Sequence, residues 1–518
     1  MSSTDTMFEM ADVAGRILMD SCCEQYRWMT YAAGIFGFIM AFGIGANDVA
    51  NAFATSVSAK SLSLKQAVII AAICEFLGAM LLGASVTSTI RKNMIDGDMY
   101  TDEPDVLMFG MLTALVSASF MMGVANYFAL PISTTHTIIG SIVGFSIAAK
   151  GFESIMWDTV ALIFVSWAAA PLITGIIGAL FFWFLRYFVL RSERSYERSV
   201  AIYPATIFLA VGLDLFMVLY KAGKNNAQID EWGLKFMIPV AWGSSAFLAA
   251  VFYFLLGPFL EKRIAAKFDD VEKAVEVLED KTESKLGSSG SETSVEAEKP
   301  EEKKGFRGMM HKIGKATINR DIEAEAFEIS DKAKEMWESG EDFDPKTEEM
   351  FSYLQVLTAC LLSFAHGAND VANAIAPLSA VLAIYENSGV ESKSPVQRWV
   401  LALGGVGIVF GLALYGYKLI ISLGYRMTRV TPSRGFAIEL SAATVVVVAS
   451  FIGIPISTTQ CKVGGTIAVG MFGGKKSLDP WFLLKIVAGW VLTFFGVCAL
   501  NAGIFAFAYY APSAKGYA

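Results

Sequence analysis

The eight residues Gly45-Ala46-Asn47-Asp48-Val49-Ala50-Asn51-Ala52 recur letter for letter at Gly367-Ala368-Asn369-Asp370-Val371-Ala372-Asn373-Ala374. Each copy closes an apolar run, Tyr31 to Ile44 in the first and Phe351 to His366 in the second. A carboxylate and two amides thereby stand where hydrocarbon would be expected, and ionisable groups at that depth are costly and mark functional positions. A second word follows each copy. Pro131-Ile132-Ser133-Thr134-Thr135 begins 86 residues after the start of the first octamer, and Pro455-Ile456-Ser457-Thr458-Thr459 begins 88 residues after the second. The chain contains one unit twice.

At 54% hydrophobic and 17% charged residues, with a mean hydropathy of +0.51, the sequence is expected to be an all-α polytopic membrane protein. Apolar segments of about 20 residues or more read at 28–58, 65–90, 106–128, 131–149, 157–189, 200–221 and 235–260, then at 351–385, 397–424, 436–453, 455–473 and 481–511. That is twelve. The first and eighth are expected to be broken at the octamers, and those at 131 and 455, counted as crossings, follow their predecessors so closely that a re-entrant path is the alternative. Arg186, Arg191, Arg194 and Arg198, and later Arg426, Arg429 and Arg434, lie in short connections that should be cytoplasmic. Alternation then places the 261–350 loop inside and both termini outside. The octamers sit seven crossings apart, an odd number, so the repeats are inverted. Inverted repeats with interrupted helices are the sequence sign of secondary transporters, whose sites lie near the midplane where the halves meet.

The resulting division is a tail at 1–27, a first repeat at 28–190, connecting helices at 191–260, a charged loop at 261–350 and a second repeat at 351–511. The loop holds 16 of the 41 basic and 25 of the 49 acidic residues, a net −9, which leaves the rest of the chain at +1. It reads as a heptad-like stretch at 261–280, a Ser/Glu/Lys/Gly run at 281–305 that cannot form a core, and a charged helical pattern at about 320–338. No cleavable signal is evident in the acidic N-terminal stretch. The six cysteines have no metal spacing and read as small buried hydrophobes. The three Gly-Lys pairs continue as Asn225, Ala316 and Lys476, so no ATP-binding Walker motif is present; HExxH and GxSxG are likewise missing. The chain does not read as an enzyme. Neither an organic cofactor nor a nucleic-acid partner is implied.

In Pro-Ile-Ser-Thr-Thr, proline suits a first helical turn and Ser/Thr suit a cap. Such a helix start aims free amides, hydroxyls and a positive dipole end at one point, which is an oxyanion site. Two copies entering from opposite faces could enclose a tetrahedral anion with Ser133, Thr134, Thr135, Ser457, Thr458 and Thr459; the plain alternative is that these residues only cap and bridge helices. Asp48 and Asp370, with Asn47, Asn51, Asn369 and Asn373, offer hard oxygen ligands to a hard cation. Asn47 is expected to serve through unwound backbone. An anion 4 Å from a carboxylate is repelled by about 4 kcal/mol at an effective dielectric of 20, so anion and cations should bind well together and poorly apart. Glu75 and Glu439 lie in apolar runs and read as site, gate or proton-accepting residues. His136 and Gln460 occupy the same place after Ser-Thr-Thr and share the capacity for a hydrogen bond. Lys462 either steadies the anion or snorkels.

At these words the sequence resembles the inorganic phosphate transporter (PiT) family, the type III sodium-dependent phosphate symporters, over nearly all of 28–511 outside the loop. The resemblance implies a twelve-segment inverted-repeat fold and symport of inorganic phosphate with sodium as coupling ion. By motif it implies phosphate contacts at Ser133, Thr134, Thr135, Ser457, Thr458 and Thr459, sodium service by Asp48, Asn51, Asp370 and Asn373, and glutamates needed for transport at Glu75 and Glu439. Gln460 departs from the histidine common in the family's second half. A multi-pass protein of the plasma membrane follows, with a homodimer among the assemblies allowed. Two rival readings stand beside it: a proton-coupled phosphate permease, and a phosphate-sensing membrane receptor, against which the duplicated broken helices argue.

Overall fold

The computed structural model describes residues 25–510 except 225–226, 287–321, 339, 391–394, 453–455 and 475–476. The first octamer lies in a π-helical turn, Gly45–Val49, that joins helix α1 (Arg27–Ile44) to α2 (Ala50–Ser58). Helices α3 (Leu64–Asn93), α4 (Pro104–Tyr127), α5 (Thr134–Lys150) and α6 (Trp157–Leu185) complete the first repeat. Helices α7 (Ser195–Lys224), α8 (Ala227–Val251) and α9 (Gly257–Leu286) follow, then the short α10 (Ile322–Ile329) and α11 (Asp331–Glu338). The second repeat comprises α12 (Pro345–Asn387), α13 (Arg398–Tyr415), α14 (Tyr417–Arg426), α15 (Pro432–Ile452), α16 (Thr458–Gly470) and α17 (Pro480–Tyr510).

Ten helices among the described residues are long and apolar enough to cross a bilayer. The α5 and α16 helices, at 17 and 13 residues, reach only about 26 and 20 Å at 1.5 Å per residue, short of a core of about 30 Å. Both are re-entrant. Lys150, the last residue of α5, bonds Glu103, just ahead of α4, at 2.7 Å, so the α4–α5 hairpin returns to the face it left. Gly470 at the end of α16 lies against Thr428, ahead of α15, and the second hairpin does the same at the other face. A hairpin and two crossings have the same parity, so the sidedness read from the arginines is unchanged. Lys60–Glu323, Arg186–Glu341 and Lys332–Asp479 gather on the loop face. Tyr26–Asp105 and Tyr510–Ala148 gather on the other.

The expected breaks at the octamers are not found. In the first copy the backbone widens by one π-turn, and in the second α12 runs unbroken through 43 residues. The physical reason is that hydrocarbon offers no partner to free backbone groups; among the described residues the irregular backbone sits instead at 131–133 and 456–457, which are buried in protein. The molecule is also inverted in polarity relative to a soluble one. Large apolar side chains such as Tyr31, Ile35, Leu172, Leu180 and Phe495 face outward, while the octamer and Ser-Thr-Thr side chains are buried.

Without a hydrophobic drive between helices in lipid, close packing through small residues holds the bundle. The first glycine of each octamer shows it. A Cβ on Gly45 would fall 1.8 Å from the Ile408 carbonyl oxygen of α13, and one on Gly367 would fall 2.2 Å from that of Glu75 on α3. Gly45→Ala is therefore expected to lower thermal stability in detergent by at least the roughly 1–3 kcal/mol of overpacking, whereas Gly34→Ala, with nothing within 4 Å, should leave the melting curve in place.

Candidate functional site

The two re-entrant helices begin next to each other at the octamers. Ser133 and Ser457 are their N-caps, with φ/ψ of −90/122 and −87/116, and each hydroxyl accepts the amide three residues on, from His136 and Gln460. Pro131 does not stand in the first helical turn as the motif suggested. It precedes the cap, in the extended tip, because the serine side chain supplies the cap and Thr134 opens the helix; Pro455 lies outside the described residues. The first turn of each helix leaves backbone amides without intrahelical partners, and their dipole ends point at the same buried place.

The tips are held by asparagine. Asn47 donates to the Leu130 carbonyl (3.1 Å) and to Asn126 (2.8 Å) and accepts from the Ile132 amide (3.2 Å). Asn369 donates to the Ile456 carbonyl at 3.5 Å. The expectation that Asn47 works through unwound backbone is thus replaced by a side-chain clamp on the hairpin.

The carboxylates meet the hydroxyls. Thr134 and Thr459 donate to the two oxygens of Asp48 at 2.7 and 2.6 Å, and Thr458 donates to Asp370 at 2.7 Å. Asn373 donates to Asp370 (3.1 Å), Thr134 (3.1 Å) and Thr135 (3.3 Å), and Asn51 is buried on the turn after Asp48. Each repeat therefore bonds the other's motif. Ligand atoms of Asp48, His366 and Asp370 lie within 4.8 Å of one another. Two carboxylates at that separation repel by about 3.5 kcal/mol at an effective dielectric of 20, so the site favours a cation between them.

His366 is the residue the sequence reading passed over. It stands between Glu75, 2.8 Å from Nδ1, and Asp370, 2.8 Å from Nε2, and Ser363 gives Glu75 a further bond at 2.9 Å. The signal was available, since the chain has three histidines and this one directly precedes the second octamer. Ile44 holds that position in the first repeat. Because Gly367 packs on the Glu75 backbone as Gly45 packs on that of Ile408, Ile408 is the structural counterpart of Glu75. One repeat thus has a buried Glu–His pair where the other has two isoleucines.

Glu439 lies toward the loop face, accepting from Thr55 (2.6 Å), Ser56 (2.6 Å), Gln355 (3.1 Å) and Thr358 (2.9 Å). Lys462 is buried rather than snorkelling, bonded to the Ala52 carbonyl at 3.0 Å and 3.7 Å from Glu439. His136 stacks on Trp167 with centroids 3.4 Å apart, its Nδ1 3.4 Å from the Trp490 carbonyl, and Gln460 faces it.

The sequence profile of the phosphate transporter family matches residues 44–501. The chain belongs to the phosphate transporter family. Within it, the chain is 34% identical over 471 residues to the chloroplastic inorganic phosphate transporter 2-1 of Arabidopsis thaliana, covering 90% of this chain and 70% of that one. It is 29% identical to the sodium-dependent phosphate transporter 1-A of Danio rerio, covering 92% and 94%. A solved structure of a sodium-dependent phosphate transporter superposes with a TM-score of 0.71 at 30% identity, covering 93% of this chain and 99% of that one. Family members are transporters and not enzymes, and this one is a multi-pass membrane protein.

The isoleucine counterpart yields a test of the Glu–His pair. Glu75→Ile or His366→Ile alone leaves a buried charged group without its partner, at a cost of about 3–5 kcal/mol. The double substitution restores the pairing of the first repeat, so it is expected to unfold at a higher temperature than either single variant; additive losses would show that the pair does not act as a unit.

Proposed function

We propose that the protein imports inorganic phosphate in symport with sodium across the plasma membrane. Phosphate is held between the two re-entrant helix starts by the free amides and by Ser133, Thr134, Thr135, Ser457, Thr458 and Thr459. Sodium is held at Asp48 and Asp370 with Asn51 and Asn373, while Asn47 and Asn369 keep the hairpin tips in place. The sodium-dependent relatives support the choice of cation.

The observation that carries the coupling is the bonding of Thr134, Thr458 and Thr459 to the aspartates. A hydroxyl has one proton to donate, and it cannot serve a carboxylate and a phosphate oxygen together. A cation that coordinates the carboxylate replaces the hydroxyl there. The released hydroxyl then turns to the anion, and the cation at the same time cancels the repulsion between carboxylate and phosphate. Sodium binding thus creates the phosphate site. With one cation per octamer and a monovalent phosphate, each cycle moves one positive charge inward, favoured by about 2.3 kcal/mol per 100 mV of inside-negative potential. The proton-coupled alternative draws on the buried Glu75–His366–Asp370 chain.

Phosphate added to proteoliposomes under a sodium gradient is expected to evoke an inward current that disappears in choline. Equal current in choline at pH 5.5 would assign the coupling to protons, and electroneutral uptake would refute two-for-one stoichiometry. Asp48→Asn and Asp370→Asn should abolish coupled uptake in correctly inserted protein. Thr459→Val removes a bond worth about 1.5–3 kcal/mol and should weaken phosphate affinity by roughly tenfold or more; unchanged affinity would move the anion elsewhere.

A further inference from the structure

On the loop face, far from the buried site, four arginines from two parts of the chain converge on one short segment, residues 340–344, between α11 and α12. Arg186 grips Oε2 of Glu341 with Nε (2.9 Å) and Nη2 (2.6 Å). Arg191 takes Oε1 with Nε (2.9 Å) and Nη2 (2.8 Å). Arg434 donates to the Glu341 carbonyl at 2.9 Å, and Arg429 donates to the Gly340 carbonyl at 2.8 Å and to the Asp342 carboxylate. Burial alone would raise the Glu341 carboxyl, but the bonds from Arg186 and Arg191 hold it below its ordinary range.

The cluster is underfilled. Four guanidinium groups are met by only two carboxylates, Glu341 and Asp342; the neighbouring acids are engaged elsewhere, Glu348 capping Ser433 at 2.9 and 2.7 Å and Asp344 capping Thr347 at 2.8 Å. Arg434 is 4% exposed and its Nη1 has no hydrogen-bond partner, nor has Nε of Arg429. Unused buried guanidinium N–H groups are costly. A carboxylate has too few oxygens to engage four planar forks, whereas a phosphate-bearing anion has enough and suits their bidentate geometry.

We propose that Arg186, Arg191, Arg429 and Arg434 form a receptor for phosphate-bearing anions, which Glu341 occupies as a tethered internal ligand. The location gives it a consequence. Arg429 and Arg434 stand at the base of the α15–α16 hairpin, whose far end carries Ser457, Thr458 and Thr459, and Arg186 and Arg191 stand at the end of α6. Glu341 straps the hairpin to α6, and an anion that takes its place releases the strap while keeping the arginines neutralised.

The test uses the full chain in lipid-free detergent with potassium tripolyphosphate as probe, read by calorimetry and by hydrogen exchange. Glu341→Gln is expected to bind the probe about tenfold more tightly than wild type, a shift of about 1.4 kcal/mol, and Arg186→Gln/Arg191→Gln to lose binding. Arg191→Gln alone, at a half-exposed side chain, should weaken it and serves if the double variant does not fold. In wild type the probe should speed exchange of the 340–344 amides. Equal affinity in all variants, or slower exchange of the strap, would overturn the proposal. Repeating the titration in nanodiscs separates the sources: binding lost in phosphatidylglycerol but kept in phosphatidylcholine assigns the site to a lipid headgroup, and binding kept in both assigns it to a soluble anion.

Discussion

Everything in this structure depends on a competition for three hydroxyl protons. Thr134, Thr458 and Thr459 stand in the first turns of two helices that start inside the bundle, where an anion is favoured, yet they donate to Asp48 and Asp370. Carboxylates and an oxyanion are rival acceptors for the same donors and repel each other besides. A cation resolves both conflicts at once. In the proposed mechanism coupling needs no long-range signal, because the two ligands would share one set of side chains.

The rest of the fold serves that arrangement. A helix can begin inside a membrane only if the peptide leading to it is satisfied by protein, and the amides of Asn47 and Asn369 do this for the two tips. The octamer glycines let α3 and α13 close over the site. Around the aspartates, ionisable groups of opposite kind stand together: His366 lies between Glu75 and Asp370, and Lys462 lies beside Glu439. Removing one member of such a pair is far worse than never having had it, which ties the stability of the bundle to the integrity of its site.

Much of this was legible in the residues. Identical words at matched spacing gave the repeat, and the chemistry of Ser-Thr-Thr beside Asn-Asp picked out the side chains that the fold brings together. What was not legible is instructive. Asparagines 47 and 369 look like their neighbours 51 and 373 in sequence, and only the path of the tips separates clamps from candidate ligands. The octamers were expected to break their helices, yet the helices run on through them and their glycines mark close approach of neighbouring backbones. His366 escaped attention because it lies outside the repeated letters. It departs from the two-fold, with Ile44 in its place in the first repeat, and a comparison confined to identical residues cannot see it.

The most direct test of the hydroxyl competition is equilibrium binding of radiolabelled phosphate to the purified protein, with no gradient and no transport. In sodium the phosphate should bind at least about tenfold more tightly than in choline at the same ionic strength, as loss of one hydroxyl bond of about 1.5–3 kcal/mol would require. Equal affinity in the two salts would contradict the idea that a cation at Asp48 and Asp370 frees the threonines for the anion.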